Sequence, residues 1–429
     1  MNYASTMKRR MIWSAIALTM MATAMAGCSS ESNESGNDNI EPAPRGSVVP
    51  PTTVELTRAE KEMVNQSNEF AFNLFSAAQD EVKSQIISPI SITYALGLLN
   101  NGADGETLRQ INNVLGFADT GADGINSFCY KMLRMAPDLD PLTKVMIANT
   151  IFVNKKYELL ADFLQKAKVF YDAEPETRDF NDGKTLDLIN QWASDHTERM
   201  VQKVLSEDLF DPNAVSYLLN AIYFKGSWTY KFEKEQTQKE AFEHVGYTKE
   251  MTYSDMMHQR TNLEYSETED CQALRLPYGN GSFQMTVLLP KAQTNALPKV
   301  PTAEAWQQLN QRMTSTLVDV KLPRFETDTD IELNKIMAAL GMPDAFEPAK
   351  ADFRYFCKIP TYISLMKQTA KIKLDEEGTE AAAVTVIGTY NSATDNPSPV
   401  SFHANHPFLY IISEKQTGAI FFIGQYTGY

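Results

Sequence analysis

The chain has 429 residues, with 39 basic and 54 acidic side chains and a formal net charge of −15 at pH 7. This acidic balance argues against a general nucleic-acid surface, which needs clustered lysine and arginine. Because 43% of the residues are hydrophobic, the chain can build a large core, and most of it is expected to fold.

The first 27 residues (1–27) are predicted to be a signal peptide. Lys8-Arg9-Arg10 forms a basic start, and an apolar stretch follows from Met11 to Ala26. The small residues before Cys28 resemble a bacterial lipoprotein box, which implies cleavage before Cys28 and acylation of its thiol. The alternative is an ordinary signal peptide or a membrane anchor.

Residues 28–54 are predicted to form a lipidated, flexible tether, because the segment is dominated by Ser, Asn, Glu, Gly and Pro. Ser29 directly after Cys28, and the acidic residues that follow, suit a lipoprotein of the outer membrane. We therefore expect an exported protein that is lipid-anchored to the bacterial outer membrane and faces the periplasm or the outside. No later stretch is long and apolar enough to cross a bilayer.

The cysteines predict neither a metal site nor a disulfide framework. Cys28, Cys129, Cys271 and Cys357 contain no CxxC pair and show no metal-like spacing with the five histidines. Acylation of Cys28 leaves three cysteines, an odd number for an exported protein. We expect these three to be core thiols, and we expect no metal and no cofactor.

The folded domain is predicted for residues 55–429, and its first part is helical. Thr57-Arg58-Ala59-Glu60 has the form of a capping box and begins the first helix. Ser88-Pro89 begins the second helix, with proline in the first turn, where its missing N–H is not needed. A third helix is predicted to end at Gly116.

Strand-like runs dominate the rest of the chain. The predicted strands are 145–153, 215–224, 283–289, 317–322, 408–412 and 419–424, with helices at 186–197 and 331–340. Helices that cluster early and strands that cluster late favour an α+β fold over a regular βαβ alternation.

No motif of a known catalytic site occurs in the chain. GxSxG, GxxxxGK[ST], HExxH and GxGxxG are all absent. The histidines are scattered without signature neighbours. The carboxylate pairs Glu376-Glu377 and Asp328/Asp330 lie on polar stretches and are interpreted as solvated surface. We therefore predict that the protein is not an enzyme, and a hydrolase or glycan-processing lipoprotein is disfavoured.

One stretch near the C-terminus fits no core pattern. Small and β-branched residues after Gly378 predict a strand over 379–387. Residues 388–399 then follow without any apolar periodicity. A loop of this length inside a compact domain is usually either functional or disordered.

Glu376-Glu377-Gly378-Thr379-Glu380-Ala381-Ala382-Ala383 resembles the hinge of the reactive-centre loop of the serpins, a family of serine protease inhibitors. Two further blocks agree in chain order. The segment from Asn220 to Trp228 resembles the family's central strand, and the segment from Phe402 to Ile412 resembles its C-terminal signature. The resemblance covers 55–429 and implies the serpin fold, with three β-sheets, about nine helices and an exposed reactive-centre loop at about 376–401.

The resemblance implies a suicide trapping mechanism. A protease cleaves the loop and forms an acyl-enzyme, and the loop then inserts as a new strand in the large sheet before deacylation is complete. Thr379, Ala381, Ala383 and Thr385 would share the core-facing side of that strand, and all four are small. We therefore expect a monomeric inhibitor that forms a covalent complex with its target. A serpin-fold envelope protein that binds a partner without trapping it is the alternative.

The reactive bond is predicted to lie between Ser392 and Ala393, or one residue later. No Lys or Arg occurs between Lys373 and Lys415, which disfavours trypsin-like targets, since their pocket requires a cation. A small residue before the bond favours elastase-like or subtilisin-like proteases. Tyr390 offers a chymotrypsin-like alternative, and papain-like cysteine proteases also remain open.

Five further positions are carried over from the resemblance. Trp228 is expected where the loop enters the sheet. Ser88, Ser91 and Asn220 match polar positions beneath the sheet that gate its opening. Gln368 stands where the family has a histidine, and its amide can both donate and accept hydrogen bonds.

Overall fold

The computed structural model describes residues 53–173, 175–245, 252–291, 297–379 and 398–428. The predicted signal peptide, Cys28 and nearly all of the tether lie outside these ranges. So do part of the predicted hinge and both residues of the predicted reactive bond, namely Glu380, Ala381, Ala382, Ala383, Ser392 and Ala393. The statements about these residues stay predictions.

Eight α-helices lie in the described ranges. They are α1 (Arg58–Ala78), α2 (Pro89–Asn100), α3 (Gly105–Val114), α4 (Gly121–Leu139), α5 (Ala161–Tyr171), α6 (Thr185–His196), α7 (Ala303–Arg312) and α8 (Asn334–Leu340). Two short 3-10 helices lie at Lys234–Gln236 and Pro343–Phe346. Within the described part of the chain, no helix is both long enough and apolar enough to span a membrane.

The caps predicted for the first two helices are confirmed. The Thr57 hydroxyl accepts from the Glu60 N–H at 3.2 Å, and the Glu60 carboxylate accepts from the Thr57 N–H at 2.7 Å. The Ser88 hydroxyl accepts from the Ser91 N–H at the start of α2. The helix predicted for 331–340 begins only at Asn334, because the preceding residues belong to a strand.

Fifteen strands lie in the described ranges. They are β1 (Gln85–Ile87), β2 (Thr143–Asn154), β3 (Glu176–Arg178), β4 (Ser216–Ser227), β5 (Gln238–Phe242), β6 (Thr252–Glu267), β7 (Cys271–Tyr278), β8 (Phe283–Pro290), β9 (Thr314–Pro323), β10 (Phe325–Glu332), β11 (Leu365–Asp375), β12 (Gly378–Thr379), β13 (Val400–His403), β14 (Phe408–Glu414) and β15 (Ile420–Tyr426).

The strands of the described ranges form two hydrogen-bonded sheets. A six-stranded sheet has the order β10-β11-β12-β4-β2-β3, and a nine-stranded sheet has the order β1-β15-β14-β8-β7-β6-β9-β13, with β5 paired to β6. The predicted α+β class is thus confirmed. The expected third sheet is continuous with the second, because the 16-residue strand β6 pairs with β9 along most of its length and with β7 near its end.

The six-stranded sheet is buried on both faces at β4, because successive side chains of a strand point to opposite sides. Leu218 and Ile222 join the main core, which includes every Ile and Leu of α2. Tyr217 and Leu219 face the other way and pack in a second cluster with residues of α6. The centre of this sheet is therefore fixed between two helices.

The three cysteines of the described ranges are all unbridged. Cys129 and Cys357 are buried, as expected for core thiols, whereas Cys271 is half-buried. Burial raises the pKa of Cys271 to about 11, so its thiol is a poor nucleophile near neutral pH.

Candidate functional site

The two central strands of the six-stranded sheet pair directly over only part of their length. β11 and β4 are parallel and in register over seven residue pairs, which end at Lys371 and Tyr223. Beyond that point the two-residue strand β12 lies between them. Gly378 and Thr379 pair antiparallel with β11 on one side and with β4 on the other. We call the direct β11–β4 pairing the seam.

Position 378 requires glycine. Its φ is +144°, a conformation that other residues rarely adopt. A Cβ atom at this position would lie 2.2 Å from the Gly226 carbonyl oxygen and 2.7 Å from the Ser227 Cα atom. The absence of a side chain therefore allows β12 to approach the backbone of β4 closely.

Thr379 is fully buried in β12, beyond the end of the seam. Its hydroxyl shares a hydrogen bond of 2.8 Å with the Tyr278 hydroxyl. Tyr278 also stacks on Trp228, with ring centroids 4.4 Å apart and an interplanar angle of 14°. The first core-facing residue of the predicted hinge thus fills a pocket with a specific partner.

Trp228 lies where the chain leaves β11 and enters β12. Its backbone N–H donates to the Glu377 carbonyl at 2.9 Å, and its indole N–H donates to the Asp375 carbonyl at 3.0 Å. The residue is 3% exposed. Trp228 therefore holds the turn between β11 and β12 through two hydrogen bonds to its backbone. Its predicted role in loop entry stays a prediction.

Glu376 is buried in this turn, so the expectation that the Glu376-Glu377 pair is solvated surface is wrong for this residue. It is 1% exposed, and its carboxylate forms an ion pair with Arg324 and accepts from the Thr237 hydroxyl at 2.6 Å. Burial acts to raise the pKa of Glu376, but the hydrogen bonds from Arg324 and Thr237 outweigh it and hold the pKa below its ordinary value.

Glu377 faces a pair of lysines. Lys231 Nζ lies 2.6 Å from one carboxylate oxygen, and Lys234 Nζ lies 3.4 Å from the other. The hydrogen bond from Lys231 is the main reason that the pKa of Glu377 is lowered. The two acidic residues before Gly378 thus fix the turn through separate sets of partners.

Gln368 of β11 and Asn220 of β4 are directly opposite each other in the seam. The Gln368 amide donates to Asn220 Oδ1 at 2.6 Å and to the Ser88 carbonyl at 3.1 Å. Its own oxygen accepts from the Ser88 N–H at 3.0 Å. One side chain therefore joins both strands of the seam to the start of α2.

Asn220 extends this arrangement to a third strand. Its amide donates to the Ser91 hydroxyl of α2 and to Asn149 Oδ1 of β2. The structure thus brings together four of the predicted residues, Ser88, Ser91, Asn220 and Gln368, and adds Asn149, which the sequence analysis missed. We call these five residues the closure network. No local sequence signal marks Asn149; its place in the network follows from its position opposite Asn220 in the β2–β4 register.

Several other ionisable side chains of the described ranges have structural partners. Asp330, one of the predicted surface carboxylates, pairs with Lys367 at 2.8 Å across β10 and β11. Asp319 lies between His258 at 2.8 Å and His403 at 2.9 Å. Among the described residues, no group of three or more His, Cys, Asp or Glu side chains is placed to hold a metal ion.

A family model described as Serpin (serine protease inhibitor) matches residues 65–428. This range is more than half of the 429 residues, and the chain therefore belongs to the serpin family. Serpins are protease inhibitors rather than catalytic enzymes, although some members do not inhibit.

Curated relatives match over most of their length. Serpin B6 of Macaca fascicularis is 33% identical over 369 residues, which cover 83% of this chain and 97% of that protein. Serpin B3 of Homo sapiens is 32% identical over 389 residues, which cover 84% and 98%. An uncharacterized serpin-like protein of Methanosarcina mazei is 28% identical over 381 residues, which cover 85% and 87%.

Solved structures agree with the fold. The crystal structure of the thermophilic serpin tengpin in the native state superposes with a TM-score of 0.79 at 30% identity and covers 90% of this chain and 98% of its own. The complex of thyroxine-binding globulin with thyroxine gives a TM-score of 0.75 at 24% identity, covering 86% and 99%, a likeness that concerns the fold alone.

Proposed function

We propose that this chain inhibits serine-type endopeptidases by suicide trapping, in which the loop is cleaved, an acyl-enzyme forms and the loop inserts into the six-stranded sheet. The observation that carries the proposal is β12. Its two residues pair with β11 and with β4 at once, which is the pairing that an inserting strand would continue. The strand would insert between β11 and β4 along the seven residue pairs of the seam.

If the observed register continued beyond Thr379, small residues would lie on the buried side. Ala381 would lie between Ile372 and Phe224, and Ala383 would follow two positions later on the same side. Both flanking residues are buried in the main core. Alanine side chains can enter such a position without displacing the core, whereas a large or charged side chain would carry a heavy cost.

The same register brings Thr385 between Gln368 and Asn220. Insertion would therefore break the 2.6 Å hydrogen bond between these two side chains and offer the Thr385 hydroxyl in exchange. The polar groups of the closure network would keep a partner, so sheet opening would not leave them buried and unsatisfied.

On the outer side, Glu380 would lie between Lys373 of β11 and Lys225 of β4. This follows from the register in which Thr379 pairs with Leu374 and with Gly226. An acidic side chain between two basic ones is favoured across neighbouring strands. The only charged residue of the hinge beyond Thr379 would thus meet opposite charge on both sides.

The energetics of sheet pairing also support insertion. The seam is a parallel pairing, and an inserted loop would replace it with two antiparallel pairings. Antiparallel pairing is slightly more stable for each residue, and the strand adds a second set of ladder hydrogen bonds. Cleavage would release the loop to reach this arrangement.

Among proteases, elastase-like and subtilisin-like enzymes are the proposed targets, since Ser392 and Ala393 are small and the stretch between Lys373 and Lys415 contains no cation. Incubation with an elastase, a subtilisin, a chymotrypsin and a papain, followed by denaturing electrophoresis, tests the proposal. A covalent complex with a serine protease is expected, and the mass of the released C-terminal peptide identifies the bond. Cleavage by every protease without any complex would overturn the trapping mechanism.

A non-inhibitory binding protein with this fold is the second candidate, and heat stability separates the two. An inhibitor nicked in the loop should unfold at a much higher temperature than the intact chain, because the inserted strand completes the sheet. A binding protein that does not insert its loop should show no such rise.

We further propose that the mature protein is exported and lipid-anchored through Cys28 to the bacterial outer membrane, and that it acts as a monomer. The apolar segment before Cys28 and the polar tether after it support the export and the lipid anchor. Cys28→Ala should release the protein from the membrane fraction and abolish labelling by a radioactive fatty acid. Fractionation that leaves the variant in the membrane would contradict it.

A further inference from the structure

A cavity of about 280 Å³ lies between α2, α4, α5 and β2, with α6 at its rim. It is separate from the turn at Glu376 and from β12. Apolar side chains from three of these elements form its walls, including Leu98 of α2, Leu133 of α4 and Ile147 of β2. The indole of Trp192, from α6, lines the same space. The walls therefore offer a surface for a flat apolar group.

Two buried hydroxyls line this cavity without a partner. Tyr94 is 1% exposed and Thr150 is 3% exposed. Neither hydroxyl has a hydrogen-bond partner among the described residues. A buried polar group that lacks a partner costs roughly 1–3 kcal/mol, so such groups are usually satisfied by water or by a ligand. Burial also raises the pKa of Tyr94, and its hydroxyl therefore remains a donor.

Three ionisable side chains on the more exposed part of the lining are two carboxylates and one imidazole. Asp172 is exposed at the end of α5, Glu176 is half-buried at the start of β3, and His196 is exposed at the end of α6. Glu176 also forms an ion pair with Arg178, which partly neutralises its charge. The lining thus combines two fully buried hydroxyls, apolar side chains, and more exposed carboxylates with one imidazole.

We propose that this cavity is a binding site for a small aromatic amine that carries a hydroxyl group. The hydroxyl would reach Tyr94 and Thr150, the ring would lie against Leu98 and Trp192, and the ammonium group would face Asp172. Each part of the ligand meets the chemistry that recognises it. A molecule of about ten non-hydrogen atoms is compatible with the volume, and its ammonium group can remain partly solvated.

The cavity touches the closure network at one residue. Asn149 lines the cavity and also accepts a hydrogen bond from Asn220 in the seam. Tyr94 lies one helical turn after Ser91, which is a second partner of Asn220. The proposal concerns binding alone and holds whether or not the chain traps proteases.

Isothermal titration calorimetry of the full folded chain with three probes tests the site without any protease. Tyramine has all three proposed groups, 2-phenylethylamine lacks the hydroxyl, and 4-ethylphenol lacks the ammonium. Tyramine should bind one to one. Loss of the hydroxyl should weaken binding about fivefold to tenfold. Loss of the ammonium should weaken it about twofold to fivefold, as for an exposed ion pair.

Tyr94→Phe and Thr150→Val should reduce the preference for tyramine over 2-phenylethylamine. Thr286→Val is the matched control, because Thr286 is also fully buried and its hydroxyl is also unpartnered among the described residues, but it lies on β8 outside the cavity. Removal of an unpartnered hydroxyl breaks no hydrogen bond, so all three variants should fold, which circular dichroism checks.

Two results would overturn the proposal. The first is the absence of saturable binding by all three probes, which means that the cavity holds water only. The second is equal affinity of the unsubstituted chain for tyramine and 2-phenylethylamine, which means that Tyr94 and Thr150 recognise nothing. An equal loss of preference in Thr286→Val would also count against the assigned location.

Discussion

The Gln368 side chain of β11 donates a 2.6 Å hydrogen bond to Asn220 Oδ1 of β4, across the two strands that have to part before a loop can insert. Gln368 also binds both backbone groups of Ser88 at the start of α2. The closed state of the sheet is therefore tied to the helix beneath it through a fully buried glutamine.

Gln368→Leu should destabilise the closed sheet. The substitution keeps similar bulk but leaves the Ser88 N–H and Asn220 Oδ1 without their partner, at a cost of about 2–4 kcal/mol for two buried polar groups. A urea titration followed by circular dichroism measures the loss. Gln308→Leu on the exposed face of α7 is the control and should change stability by less than about 0.5 kcal/mol. Equal stability of the two variants would show that the seam does not depend on this contact.

Gly378→Ala should prevent β12 from docking. The added Cβ would lie 2.2 Å from the Gly226 oxygen, and the φ of +144° disfavours alanine, at a combined cost of about 1–3 kcal/mol. Hydrogen exchange at the Trp228 N–H, which donates to the Glu377 carbonyl, should accelerate.

Gly183→Ala is the control for this substitution, since no atom lies within 4 Å of its Cβ position. It should leave the exchange rate at Trp228 unchanged. An unchanged rate in Gly378→Ala as well would mean that β12 does not need a glycine to pair with β4.

The turn before Gly378 should weaken in acid. The pKa of Glu376 and that of Glu377 are both below the ordinary value of 4.5 in the folded chain. As the pH falls, these two carboxylates therefore become protonated at a higher pH in the unfolded chain than in the folded chain. Their stabilisation is fully present above pH 4.5 and is lost as the pH falls through the lowered pKa values.

Glu376→Gln tests this dependence, because it keeps a hydrogen-bond acceptor but removes the charge that Arg324 meets. At neutral pH it should cost about 1–2 kcal/mol. Between neutral pH and pH 3 it should lose less stability than the unsubstituted chain does. Parallel stability curves for the two proteins over this range would show that Glu376 does not titrate with folding.

Part of the fold could be predicted locally. The Thr57 capping box, the Ser88-Pro89 start of α2 and six of the fifteen strands in the described ranges follow from caps and apolar runs in a few neighbouring residues. These strands are β2, β4, β8, β9, β14 and β15. The sequence also contains an unused signal for β10 and β11. Acidic residues alternate with Phe325, Thr327, Thr329 and Ile331 in one strand, and lysines alternate with Ala370, Ile372 and Leu374 in the other. A test for a period of two would have detected both.

The candidate site was less accessible to local reasoning. The burial of Glu376 depends on Arg324 and Thr237, which lie 52 and 139 positions away along the chain. No pattern around Glu376-Glu377 distinguishes a buried turn from a solvated pair. Four of the five residues of the closure network, all except Asn149, were located through the family resemblance, since Gln368 has no local feature that places it opposite Asn220.

The proposed insertion makes opposite predictions for two neighbouring alanines. In the register set by Thr379 with Leu374 and with Gly226, Ala381 would face the core and Ala382 the outer side of the sheet. Ala381→Arg would force a charge between Ile372 and Phe224, at a cost of several kcal/mol, so the cut loop should fail to insert. In the same register Ala382 would lie between the partly exposed Lys371 and the buried Tyr223. An arginine there could extend along Lys371 toward Glu326 and solvent, so Ala382→Arg should insert much better than Ala381→Arg.

Both variants change the same type of residue to the same cation, so effects on protease binding or on loop charge are matched. With an elastase, Ala381→Arg should be cleaved as a substrate and form at least tenfold less covalent complex, because about 1.4 kcal/mol already gives that ratio. Ala382→Arg should still form the complex. If the two variants trap equally well, or if Ala382→Arg is the more impaired, the loop does not insert in the register that β12 begins.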